Sequence, residues 1–145
     1  MSDELSKLNL KEDFEEVLSV SDCSRWKLEM PGDLEVLATM HSVKAPSELF
    51  QARLLWTKYP DLPPSLKFRD PLTDRLDLPQ AWPIIRGFRP QSLDACVNYC
   101  AEGFALHPEW VQDPRFRWDP SNNPLLRVLR TLQEEIDEQY QGRFK

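Results

Sequence analysis

At 145 residues and 17.0 kDa the chain has the size of one domain, which buries roughly two-thirds of the surface that its unfolded form exposes. A formal charge of -6, with no dense stripe of lysine and arginine, argues against a nucleic-acid backbone as partner. With 41% hydrophobic and 29% charged residues the chain is neither wholesale disordered nor equipped with a segment that approaches a membrane span. Residues 1-145 are therefore expected to form a single domain without a membrane.

The start, Met1-Ser2-Asp3-Glu4-Leu5, has no basic stretch leading into an apolar one, so a cytoplasmic location is expected. Three cysteines are an odd and sparse set, read as reduced thiols that must each be filler, ligand or nucleophile. Thirteen prolines against four glycines predict stiff, extended connections.

From residue 3 to 20, Leu5, Leu8, Phe14, Val17 and Leu18 recur at approximately helical spacing, which predicts a short amphipathic helix with Asn9 as an internal capping candidate. Trp26, Leu28 and Met30 then alternate with polar residues, a strand that should end in a turn at Pro31-Gly32. Further strands are expected over Leu34 to Val43, Leu49 to Trp56 and Ser65 to Phe68, giving an antiparallel meander of four. Tyr59-Pro60-Asp61-Leu62-Pro63-Pro64 lies between the last two. Each proline there fixes its own φ and pushes the preceding residue out of the helical region, so the segment forms a corner through which no ladder runs.

Residues 69 to 95, broken by Pro71, Pro79, Pro83 and Pro90, are expected to form a long ordered loop. Leu93 to Phe104 holds Cys96 and Cys100, and its periodicity leaves strand and helical turn equally open. Asn122-Asn123-Pro124 places a capping residue before a proline suited to the first helical turn. The helix that follows carries Leu125, Val128, Leu129, Leu132, Ile136 and Tyr140 on one face, with Gly142 as its stop. The fold class is α+β: an N-terminal helix, a four-stranded antiparallel meander, a long active-site-type loop and a C-terminal helix packed on the sheet.

Tyr59-Pro60-x-x-Pro63-Pro64 with Phe68 downstream, and Trp118-Asp119-Pro120 leading into Leu125 to Leu129, resemble two motifs of the ubiquitin-conjugating (UBC-like and RWD) fold family, divergent and similar to bacterial E2-like proteins. The resemblance runs from residue 1 to about 140 and implies a UBC-like fold. It implies a carrier that accepts a ubiquitin-like protein from an E1-like activating enzyme as a cysteine thioester and transfers it to an amine. Cys96-Val97 matches the family's Cys-Leu step, with Cys100 as the alternative nucleophile. The family's His-Pro-Asn tripeptide does not precede either thiol: the one His-Pro, His107-Pro108, follows them. Asn98 then takes the place of the oxyanion donor, and His107 that of a residue lining the site. No cofactor is implied.

Three other readings stand beside this one. A non-catalytic UBC-like or RWD-like module would bind a protein partner through the sheet face or the proline-rich loop. A zinc site would need Cys96, Cys100 and His107 with Cys23 or His41 as fourth ligand, because such sites are tetrahedral. A Cys96/His107 hydrolase dyad can also be written, without the elbow or orienting group that such dyads carry. Trp110 is expected to fill the core.

Overall fold

The computed structural model describes residues 3-145, and its elements follow the chain as α1 (Glu4–Ser19), β1 (Lys27–Gly32), β2 (Glu35–Met40), β3 (Phe50–Leu55), β4 (Ser65–Arg69), β5 (Phe88–Arg89), β6 (Asp94–Ala95), α2 (Ala101–Leu106) and α3 (Pro124–Gln139). Strands β1 to β4 form one antiparallel sheet in sequential order, and β5 with β6 forms a separate two-stranded ribbon. The α+β class, the N-terminal helix, the four-stranded meander and the C-terminal helix are as the sequence predicts.

Alternation in the strands decides which face of the sheet the helices cover. Leu28, Ala38, Ala52 and Phe68 are aligned across the four strands, and Val36, Leu54 and Leu66 form the next row. This face joins the core with Leu125, Val128, Leu129, Leu132 and Ile136 of α3, all fully buried. Each such side chain adds about 1.5–3 kcal/mol of transfer free energy. The opposite face is polar: Arg53 Nε pairs with Glu35 at 2.8 Å and Arg69 donates to Gln51 at 2.5 Å.

Helix α3 begins as expected, with Asn123 Oδ1 accepting from Leu126 N at 3.0 Å and Pro124 in the first turn. It ends at Gln139, before Gly142, which at φ 115° turns the C-terminal residues back onto the 82–84 segment. Ile84 N donates to Gly142 O at 2.7 Å and Phe144 N to Trp82 O at 3.0 Å.

Three local expectations are corrected. In α1 the cap is Asp3, whose Oδ1 accepts from Ser6 N at 3.0 Å, while Asn9 lies inside the helix. The helix turns Ser6, Leu10 and Val17 inward and leaves Leu5 65%, Leu8 53% and Leu18 50% exposed, so of the apolar stripe read from the sequence only Val17 and, in part, Phe14 join the core. The β1–β2 turn is Asp33-Leu34, because Pro31 sits in the edge strand β1 at an irregularity between Glu29 and Gly32 where no ladder donor is needed. The segment from Leu93 to Phe104, which periodicity left open, needs no correction: it holds both strand β6 and helix α2.

The proline corner ties these parts together. The Tyr59–Pro60 peptide is cis. Tyr59 N donates to Ser6 Oγ at 3.0 Å, and its hydroxyl donates to Asp13 of α1 while accepting from Leu125 N of α3 at 3.2 Å. Pro60 O accepts from Trp118 Nε1 at 2.8 Å, so the two sequence motifs meet in space. Pro64 O accepts from Ala101 N at 2.7 Å, which seats α2 at the same corner.

Candidate active site

Cys96 follows β6 at the end of the ribbon, where its amide donates to Gly87 O at 2.7 Å. Gly87 has φ 88°, a left-handed conformation that favours glycine, and a Cβ there would lie 3.2 Å from Cys96 O. The ribbon is fixed to β4 by Lys67 Nζ, which donates to Leu93 O at 2.5 Å. It is fixed to α2 by an unusually close approach: a Cβ on Gly103 would stand 1.7 Å from Val97 O. Glu102, next to that glycine, accepts from Ser65 Oγ at 2.5 Å and Leu66 N at 3.0 Å and holds α2 against the start of β4.

The two thiols of this segment differ sharply. Cys96 is half-buried. Cys100 is 0% exposed, its Sγ lies 3.4 Å from Ala95 O, and burial pushes its pKa up to about 12, so it is neither reachable nor ionised near neutral pH. Cys100 therefore behaves as a core residue and not as the alternative nucleophile. Cys23 lies half-buried in the short 3-10 helix Ser21–Arg25.

Asn98 and His107 are engaged elsewhere. Asn98 Nδ2 donates to Phe116 O at 3.2 Å, bracing the loop beyond α2. His107 Nδ1 meets Glu109 Oε2 at 3.0 Å, and its ring stacks on Trp110 at 4.3 Å between centroids. Trp110 stacks in turn on Phe116 at 5.2 Å. Trp110 is thus only half-buried, in a surface ladder of rings and not in the core. Among the described residues no hydrogen bond joins Asn98 or His107 to Cys96, and no group of three or more His, Cys, Asp or Glu side chains gathers to hold a metal ion. The hydrolase dyad and the zinc ligand set read from the sequence are not assembled.

A groove of about 390 Å³ runs between the proline corner and the loop after α2, lined in part by Leu62, Pro63, Phe104, Val111, Arg117 and Trp118. Leu62 and Val111 are 47% and 61% exposed along it. Sequence reasoning passed over Gly87, Arg89 and Gly103. The scarcity of glycine was the available signal: two of the four glycines in a proline-rich chain lie against the Cys96 segment. No helix among the described residues is long and apolar enough to cross a membrane. The chain matches no protein-family model, and no curated protein or solved structure similar to it was found.

Proposed function

We propose that the chain is a carrier of UBC-like architecture that takes a ubiquitin-like protein from an E1-like activating enzyme as a thioester on Cys96 and passes it to an amine. One observation carries this reading: of the two cysteines in the segment that follows the ribbon, Cys96 is only half-buried while Cys100 is fully buried. The order of helix, meander, proline corner, cysteine segment and C-terminal helix is compatible with it. In the charging step the Cys96 thiolate attacks the thioester carbonyl on the activating enzyme. The new sulfur–carbon bond forms, the tetrahedral oxyanion collapses, the enzyme's own thiolate leaves, and the Cys96 proton goes to solvent. In discharge a substrate amine attacks the same carbonyl, an amide forms, the amine proton is lost to solvent, and Cys96 departs as thiolate. Incubation with an activating enzyme, ATP and a ubiquitin-like protein should give an adduct on a non-reducing gel that a thiol reductant removes, absent in Cys96→Ala and present in Cys100→Ala. Failure of every cognate set to charge Cys96 would remove the reading.

A second reading, a non-catalytic UBC-like or RWD-like interaction module, is supported by the exposed apolar side chains Leu62 and Val111 in the corner groove and by the engagement of Asn98 with Phe116. It predicts partner binding that survives Cys96→Ala and is lost in Leu62→Asp.

A further inference from the structure

The end of the β5–β6 ribbon holds two charged side chains beside the thiol that the carrier chemistry leaves without a role. Facing pairs in an antiparallel ribbon alternate between its two sides. Phe88 faces Ala95, and both are buried, so that side looks into the core. Arg89 faces Asp94 on the opposite side, and just beyond the ribbon the Cys96 amide donates to Gly87 O at 2.7 Å. Cys96 thus lies two residues from Asp94 and across the chain from the residue two before Arg89, a diagonal spacing that long side chains span. Gly87, directly across from Cys96, puts no side chain between the sulfur and the guanidinium. Arg89 itself is clamped by Asp94 through two hydrogen bonds, Nε to Oδ1 at 2.7 Å and Nη2 to Oδ2 at 2.9 Å. On the elements packed against the ribbon, the charged Lys67 of β4 and Glu102 of α2 lie 3.9 Å apart and are tied to Leu93 O and to Ser65.

We infer that Arg89 is a positioning residue for Cys96: its guanidinium stabilises the thiolate and the anionic tetrahedral adduct formed at that sulfur, and Asp94 sets how much of that charge the sulfur feels. The arrangement supplies a cation where the motif Asn is missing. The half of the inference that concerns the adduct rests on the carrier reading, and the half that concerns the thiolate does not. The Arg89 pKa is raised chiefly by the hydrogen bond and charge of Asp94.

The test is the rate of iodoacetamide alkylation at Cys96, followed on native protein by peptide-resolved mass spectrometry across neutral pH, with protection of Cys100 as the check on folding. Arg89→Ala should slow Cys96 alkylation about three- to tenfold at low salt, the effect of removing one nearby unit charge in a partly screened setting. Arg89→Lys should restore most of the rate, and Asp94→Asn should raise it above wild type. Added salt should shrink the differences. Equal Cys96 rates in wild type and Arg89→Ala with Cys100 still protected would overturn the inference, as would a slower rate in Asp94→Asn. If Arg89→Ala exposes Cys100, the sign of the Asp94→Asn change decides alone. Alkylation needs no activating enzyme, so the outcomes separate. Rates that shift as stated with no charging remove the carrier reading and leave Arg89 acting on the thiolate, whereas charging with unshifted rates removes Arg89.

Discussion

Gly103→Ala tests how the Cys96 segment is held. In the interior of a helix this exchange normally stabilises, because alanine exceeds glycine by about 1 kcal/mol in helix propensity. Here the added Cβ would meet Val97 O at 1.7 Å, Val97 C at 2.7 Å and Val97 N at 2.9 Å, all backbone atoms that cannot rotate away. The helix must move from the ribbon by more than an ångström, straining the Ala101–Pro64 and Glu102–Leu66 hydrogen bonds that seat it. Overpacking of this kind costs about 1–3 kcal/mol and loss of a hydrogen bond to a charged group about as much again, so net destabilisation of roughly 2–4 kcal/mol is expected. For a chain of this size that lowers the midpoint of thermal unfolding by roughly 5–15 °C. Calorimetry or circular dichroism measures it, and amide exchange at Ala101 and Leu66 should accelerate in the same variant. A midpoint equal to or above wild type would refute the close approach of α2 to Val97.

Two further substitutions probe what surrounds the site. Asp137 accepts from Arg25 at 2.6 and 3.0 Å, from Val43 N at 2.9 Å and from Gln133 at 3.0 Å. Burial works to raise its pKa and is outweighed by the Arg25 hydrogen bond and the other donors, so the folded-state pKa falls below the ordinary 3.8. A lowered carboxyl pKa adds stability above the unfolded value and loses it as pH falls through the folded one. Asp137→Asn should therefore cost about 1–3 kcal/mol at neutral pH, shrinking toward zero at pH values below 3.8, as urea unfolding at several pH values would show. A cost independent of pH contradicts the assignment. Tyr59→Phe removes the hydroxyl that links Asp13 of α1 to Leu125 N of α3 and should lower stability by about 1–3 kcal/mol, because a buried amide loses its acceptor. Urea unfolding with no change in midpoint would show that the corner does not couple the two helices.

The sheet and α3 were legible because their signals are local: period-two alternation in the strands, and an Asn-Pro cap before a strong 3.6-residue stripe. The proline corner was legible as a corner, yet its hydrogen bonds to Ser6, Asp13, Ala101, Trp118 and Leu125 join residues far apart in sequence and leave no periodic trace. In α1 the stripe misled because Ser6 and Leu10 face inward while Leu5 and Leu8 do not, and tertiary packing overrides so weak a pattern. The site was half legible. The resemblance pointed to Cys96 and Cys100, but only burial separates them. Asn98 and His107 look like site residues beside the cysteines in sequence, and the loop after α2 draws both away, one to Phe116 and the other onto Trp110. Arg89 had no sequence signal, since its pairing with Asp94 comes from the register of a two-residue ribbon.

The most direct test is to charge the protein with an activating enzyme, ATP and a ubiquitin-like protein, then locate the linkage by fragmentation mass spectrometry without reductant. The account predicts a thioester on Cys96, with Cys100 unmodified. A linkage on Cys100, or an adduct that persists in Cys96→Ala and resists reductant, would contradict it.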